Sequence, residues 1–190
     1  MRKLGYALVA LCINAASAYA QPTILDPNLT ISLVADTLDI PSSMAFIGVD
    51  DILVLQKNDG KVRRVLDGAL VANPVLDVDV DPRSFGGLLG IAIHPNFQSN
   101  KHVYLFYTEG SGGNDTLGSA VANRIYRYTW DSANGILSAP LLIMSLPFSA
   151  TSGNYSGVMA FGPDGKLYVT VGDQGLSGQL QNNPGGAAPN

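Results

Sequence analysis

The feature that most restricts the folding of this 190-residue chain is an internal repeat. Three passages follow one pattern: a short apolar strand, a tight turn, then an aliphatic or aromatic strand. The first covers residues 43–47 (Ser-Met-Ala-Phe-Ile), 52–56 and, beyond Asn58-Asp59-Gly60, 61–65. The second covers residues 87–95, 103–108 and, beyond a glycine-rich insertion, 123–130. The third covers residues 157–165, ending in Pro163-Asp164-Gly165, and 166–171. Ala45, Ala92 and Ala160 hold equivalent places. Arg124, Tyr126 and Tyr128 alternate with Ile125 and Arg127, the two-residue period of a strand with two distinct faces. Glycine closes two of the turns because it accepts a positive φ without steric cost.

Meanders recurring every ~40–70 residues point to an all-β chain built of β-propeller blades. A β-sandwich is the alternative. Composition agrees with either. The chain holds 21 Gly and 11 Pro, and its only glutamate is Glu109. Helix surfaces favour Glu, Lys and Gln, so a helical bundle is excluded. A hydrophobic share of 46% excludes disorder. A propeller ring needs four to eight blades, and this chain holds about the first two to three. It therefore reads as the N-terminal part of a longer ring.

Residues 1–20 stand apart. Arg2 and Lys3 precede an apolar run, and Ala18-Tyr19-Ala20 forms a small-x-small cleavage site. This is a signal peptide, too short to span a bilayer, and it implies a periplasmic or secreted protein. Residues 21–190 are then the partial propeller. The one cysteine, Cys12, leaves with the leader, so no disulfide supports the mature chain. The net charge is −4 and no basic run is present, which excludes nucleic acid as a partner. No other stretch has the length of a membrane span.

The run Gly87-Leu88-Leu89-Gly90-Ile91-Ala92-Ile93-His94-Pro95-Asn96-Phe97, followed by Val103-Tyr104-Leu105-Phe106-Tyr107-Thr108, resembles the glucose/sorbosone dehydrogenase family. Residues 161–175, Phe-Gly-Pro-Asp-Gly-Lys-Leu-Tyr-Val-Thr-Val-Gly-Asp-Gln-Gly, resemble the same family's next blade. With residues 123–128, the resemblance covers most of residues 40–175. It implies a six-bladed propeller carrying pyrroloquinoline quinone (PQQ) and calcium. The implied reaction oxidises an aldose or related sugar alcohol group. A histidine takes the proton from the sugar hydroxyl while hydride passes to the quinone, and electrons move on to a cytochrome or the quinone pool.

Carried over residue by residue, the resemblance puts Asn154 where the family has its base. Gly153 takes the place of an acidic neighbour, and Phe85 that of a polar cofactor-side residue. Asp173 matches the carboxylate partner of the base, or caps its own turn. Gln179 matches a downstream polar cofactor contact. An amide has no usable basic site. A non-catalytic propeller of the same descent, binding a carbohydrate or a protein, is therefore the alternative function. A propeller lactone hydrolase with metal ligands elsewhere is a third.

Other candidates read as structural. His94 packs or hydrogen-bonds locally, and His102 is solvated at a strand start. Asp77, Asp79 and Asp81 alternate, which suits either calcium or a solvated blade edge. Pro82 and Leu88 break the match to a calcium-binding loop, so the solvated edge is favoured. Residues 110–115 lack the Lys-Ser/Thr ending of a phosphate loop and read as a flexible loop over the propeller face.

Overall fold

The computed structural model describes residues 22–146 and 157–172. The chain divides into two compact units, Met1–Leu33 and Val34–Asn190. In the described part of the first, the Asn28 backbone N–H and side-chain amide both donate to Asp26 Oδ1. The expected leader, residues 1–20, lies outside the described residues.

The second unit is built from antiparallel sheets, with one four-residue helix, α1 (Phe97–Asn100). In the first sheet β1 (Pro41–Gly48), β2 (Asp51–Gln56) and β3 (Lys61–Leu66) form a meander. The free edge of β3 is shared by two short strands, β4 (Ala69–Leu70) and β5 (Leu76–Asp77). The second sheet is a four-stranded meander of β6 (Leu88–Ile93), β7 (His102–Glu109), β8 (Ala122–Asp131) and β9 (Ile136–Leu146). A hairpin of β10 (Met159–Phe161) and β11 (Leu167–Val169) follows. The repeat seen in the sequence is the repeat of the fold. Ala45 pairs with Leu53, Ala92 with Tyr104 and Ala160 with Tyr168, each across the first two strands of its unit. Gly60 and Gly165 sit in the two expected turns at φ +60° and +75°.

Strand β9 was not visible in the sequence. Pro140 interrupts its pattern, Ala139 has φ +50°, and the ladder to β8 slips twice. Proline in a strand is confined to edges and bulges because it donates nothing to the ladder. Strand β9 is the sheet edge.

Alternation along β7 divides the core in two. Val103, Leu105 and Tyr107 point toward the first sheet, where Leu53, Leu55, Val62 and Trp130 join them. Phe106 points the other way and packs with Ala92, Ile125 and Met159 of the hairpin side. Arg64 ties the first two sheets at their margin. It donates to both oxygens of Asp51 at 2.7 Å and lies 5.0 Å over the Trp130 ring. Gly90 permits the closest approach in the unit, since a Cβ there would strike the Gly157 carbonyl.

Candidate functional site

The antiparallel order of the strands brings three loops to one end of the two sheets: the β2–β3 turn, the run from β5 to β6, and the β7–β8 loop. Their polar groups interlock. Asp81 Oδ1 accepts the Arg83 N–H at 2.9 Å, and its Oδ2 accepts the Ala120 N–H at 3.0 Å. Asp79 accepts the N–H groups of Gly113 (2.8 Å) and Asp115 (3.2 Å). Asp115 in turn accepts the Val80 N–H at 3.0 Å. The β7–β8 loop is therefore pinned through short-range hydrogen bonds, contrary to the expected flexible segment.

The same contacts correct the reading of Asp77, Asp79 and Asp81 as a solvated edge. Asp81 is buried, and Asp79 and Asp81 serve as acceptors for loop amides. A buried carboxylate needs such donors to offset its lost hydration. Asp77 alone belongs to a strand, paired with Lys61. Among the described residues no three His, Cys, Asp or Glu side chains are grouped to hold a metal ion.

Beside these carboxylates lies a cavity of about 380 Å³ lined by Lys61, Asp77, Val78, Asp79, Asn114 and Asp115. Burial, and then the charges of Asp77, Asp79 and Asp59, push the Asp115 carboxyl above its ordinary pKa, against the Val80 N–H. A hydrogen bond to Asp59 holds the Lys61 ammonium above its own ordinary value.

Every buried polar side chain among the described residues lies at this end: Gln56, Asp81, Thr108 and Asn123. The Thr108 hydroxyl donates to Asn123 Oδ1 at 2.7 Å, and Asn123 Nδ2 has no partner among the described residues. Alongside, the Tyr126 hydroxyl donates to Glu109 at 2.8 Å, and Arg124 donates to the same hydroxyl at 3.1 Å while pairing with Glu109. Tyr107 stacks on Tyr126 at 5.4 Å. Burial raises the Tyr107 and Tyr128 hydroxyls above their ordinary pKa, so both stay protonated at working pH. Sequence reading missed this polar cluster. Its signal was a polar residue at each strand end where the repeat is otherwise apolar.

Phe85 lies at this end, on the loop entering β6, with 56% of its surface exposed. Asn154, Asp173, Gln179 and Gly153 lie outside the described residues. The two histidines sit at the opposite end, around the β6–β7 turn. His94 Nδ1 accepts the Asn96 N–H at 3.0 Å and meets Asn100 Nδ2 at 2.8 Å, the local role expected of it. His102 is half-buried edge-on against the His94 ring at 5.9 Å, and is not the solvated residue expected. Burial, then the charges of Arg127 and His94, lower its pKa.

Comparison with protein families matches residues 38–187 to glucose/sorbosone dehydrogenase. The chain belongs to the glucose/sorbosone dehydrogenase family. Among its relatives is quinoprotein glucose dehydrogenase B of Acinetobacter calcoaceticus, 29% identical over 83% of this chain and 35% of the relative. Aldose sugar dehydrogenase YliI of Escherichia coli (strain K12) is 24% identical over 91% of this chain and 45% of its own length. The PQQ-bound aldose sugar dehydrogenase of Streptomyces coelicolor superposes with a TM-score of 0.63 at 30% identity, covering 76% of this chain and 41% of that one. The chain thus spans less than half the length of these members of the family.

Among the described residues, the cofactor-side position expected at Phe85 carries an exposed aromatic ring. The described residues offer calcium no ligand set. No helix among them is long and apolar enough to cross a membrane.

Proposed function

We propose that the complete protein is an exported quinoprotein that uses PQQ to oxidise an aldose or related sugar alcohol group. In this reading the present chain supplies the first two to three blades of a six-bladed ring, behind a signal peptide at residues 1–20. The observation that carries it is the match of residues 38–187 to the family, a span that takes in both meanders and the β10–β11 hairpin. The PQQ in the Streptomyces relative supports the cofactor.

When bound, PQQ supplies the hydride acceptor. This chain's own residues would bind and orient the reactants. Phe85 would supply an apolar contact to the cofactor, and Gln179 a polar one. Asp173 is the carboxylate available to hold a proton. Asn154 orients the sugar hydroxyl as a hydrogen-bonding amide and cannot act as its base. Calcium, on this reading, takes its ligands from beyond the described residues. Electrons pass to a cytochrome or to the quinone pool.

A second reading is favoured by one specific observation, the amide at position 154. A propeller that binds a carbohydrate or a protein without turnover needs no base there. Reconstitution of the full-length protein with PQQ and calcium, followed by dye reduction with a panel of sugars, separates the two. Turnover supports the dehydrogenase. Cofactor binding without turnover, restored by Asn154→His, assigns the loss to the base. Cofactor binding with no turnover in either protein sinks the dehydrogenase reading.

A further inference from the structure

Lys57 directly follows the second strand of the first meander, where a lysine would ordinarily extend into solvent. Here it is drawn inward. Its Nζ donates to Pro82 O at 3.2 Å, Ser84 O at 3.3 Å and Asn58 Oδ1 at 3.1 Å. Its own carbonyl accepts the Leu88 N–H at 2.8 Å, and its N–H donates to Ile40 O at 3.0 Å. One residue therefore holds the loop into β6 from both sides: the ammonium at 82 and 84, the carbonyl at 88.

The loop between these anchors is under conformational tension. Ser84 has φ +57°, a region that non-glycine residues rarely adopt. Gly87 has φ +113°, and a Cβ there would strike the Lys57 carbonyl. At Ser84 such a backbone persists only where surrounding contacts over-determine it, whereas glycine accepts a positive φ without strain. Phe85 is the residue held between the anchors, and its ring faces outward.

All three ammonium donors are engaged by neutral oxygens, and no carboxylate pairs with Lys57 among the described residues. The group is therefore unavailable for gripping an anionic ligand. Burial also lowers its pKa, because lost hydration disfavours the charged form. What remains for the ammonium is geometry.

We propose that Lys57 is a positioning residue, which clamps residues 82–88 and so fixes the direction in which Phe85 is presented. That Phe85 meets PQQ rests on the function proposed above. The clamp itself does not.

The test compares the full-length protein with Lys57→Met, which keeps the aliphatic stem, and Lys57→Arg, which restores donors. Hydrogen exchange without cofactor reads the clamp. Lys57→Met loses both ammonium bonds to this loop and should speed exchange of the 83–88 amides roughly thirtyfold. The β7 amides that exchange by local fluctuation should stay unchanged, the urea midpoint should fall only modestly, and Lys57→Arg should recover most of the protection. Unchanged exchange at 83–88 overturns the proposal, as does a uniform rise across β6 and β7, which would mark Lys57 as ordinary packing. If Lys57→Met fails to fold, Lys57→Gln takes its place under the same criteria.

PQQ titration is the second arm. A roughly tenfold weaker affinity in Lys57→Met supports the presentation of Phe85 to the cofactor. A loosened loop with unaltered affinity overturns that link while leaving the clamp. Absence of PQQ binding in the unsubstituted protein counts against the proposed function, and the exchange arm still decides the clamp.

Discussion

The first sheet has two apolar faces that meet different surroundings. On one, Ala45, Ile47, Leu53 and Leu55 pack against the second sheet. On the other, Met44 and Phe46 are 60% and 58% exposed. Their counterparts in the repeat are covered. Ile91 and Ile93 of the second unit pack toward the first sheet, and Met159 and Phe161 of the third pack toward the second. The first and second units thus lay their alanine-bearing faces on the next, and the opposite faces of the second and third receive the one before. The difference teaches that burial here follows a unit's place in the series and not its composition. One pattern gives a core residue or a surface residue according to what stands beside it.

The sharpest way to break this comparison is to empty the covered side. Phe106→Ala should cost about 3–5 kcal/mol in urea unfolding, because Phe106 is fully buried between the second sheet and the β10–β11 hairpin. Next comes a matched pair. Ile91→Ala should cost about 2–4 kcal/mol, while Phe46→Ala should stay within about 0.5 kcal/mol despite its larger side chain. Equal losses would contradict the asymmetry of the two faces.

A smaller effect is expected at the loop end. Thr108→Val removes the hydroxyl bonded to Asn123 Oδ1 and leaves a buried amide unsatisfied, for a loss of about 1–3 kcal/mol. Thr108→Ser should retain most of it.

The smallest effect is pH-dependent. His102 has a folded pKa below its ordinary value of 6.5. The unfolded chain therefore binds the proton more readily, and stability falls as pH drops through 6.5 toward the folded value. Replacing His102 with Gln should flatten the stability curve in that window. An unchanged slope would place the titration elsewhere.

Much of the fold was legible because the repeat writes its own register. Ala45, Ala92 and Ala160, and the glycines at 60 and 165, fall where turn chemistry and period two put them. The edge strand β9 was hidden by Pro140. The candidate site was far less legible. Asp79 and Asp81 looked like a solvated edge because the partners that bury them include backbone amides of residues 113–120, more than thirty positions away and carrying no side-chain signature. The clamp at Lys57 was equally silent, since a lysine after a strand gives no sign of turning inward toward carbonyls at 82 and 84.

The most direct measurement of the central claim, that this loop end faces the cofactor, is isothermal titration of the full-length protein with PQQ, with and without Phe85→Ala. Loss of an aromatic contact worth about 0.5–1.5 kcal/mol predicts binding weakened roughly threefold to tenfold by the substitution. Tight binding indifferent to Phe85, or no binding at all, would contradict it.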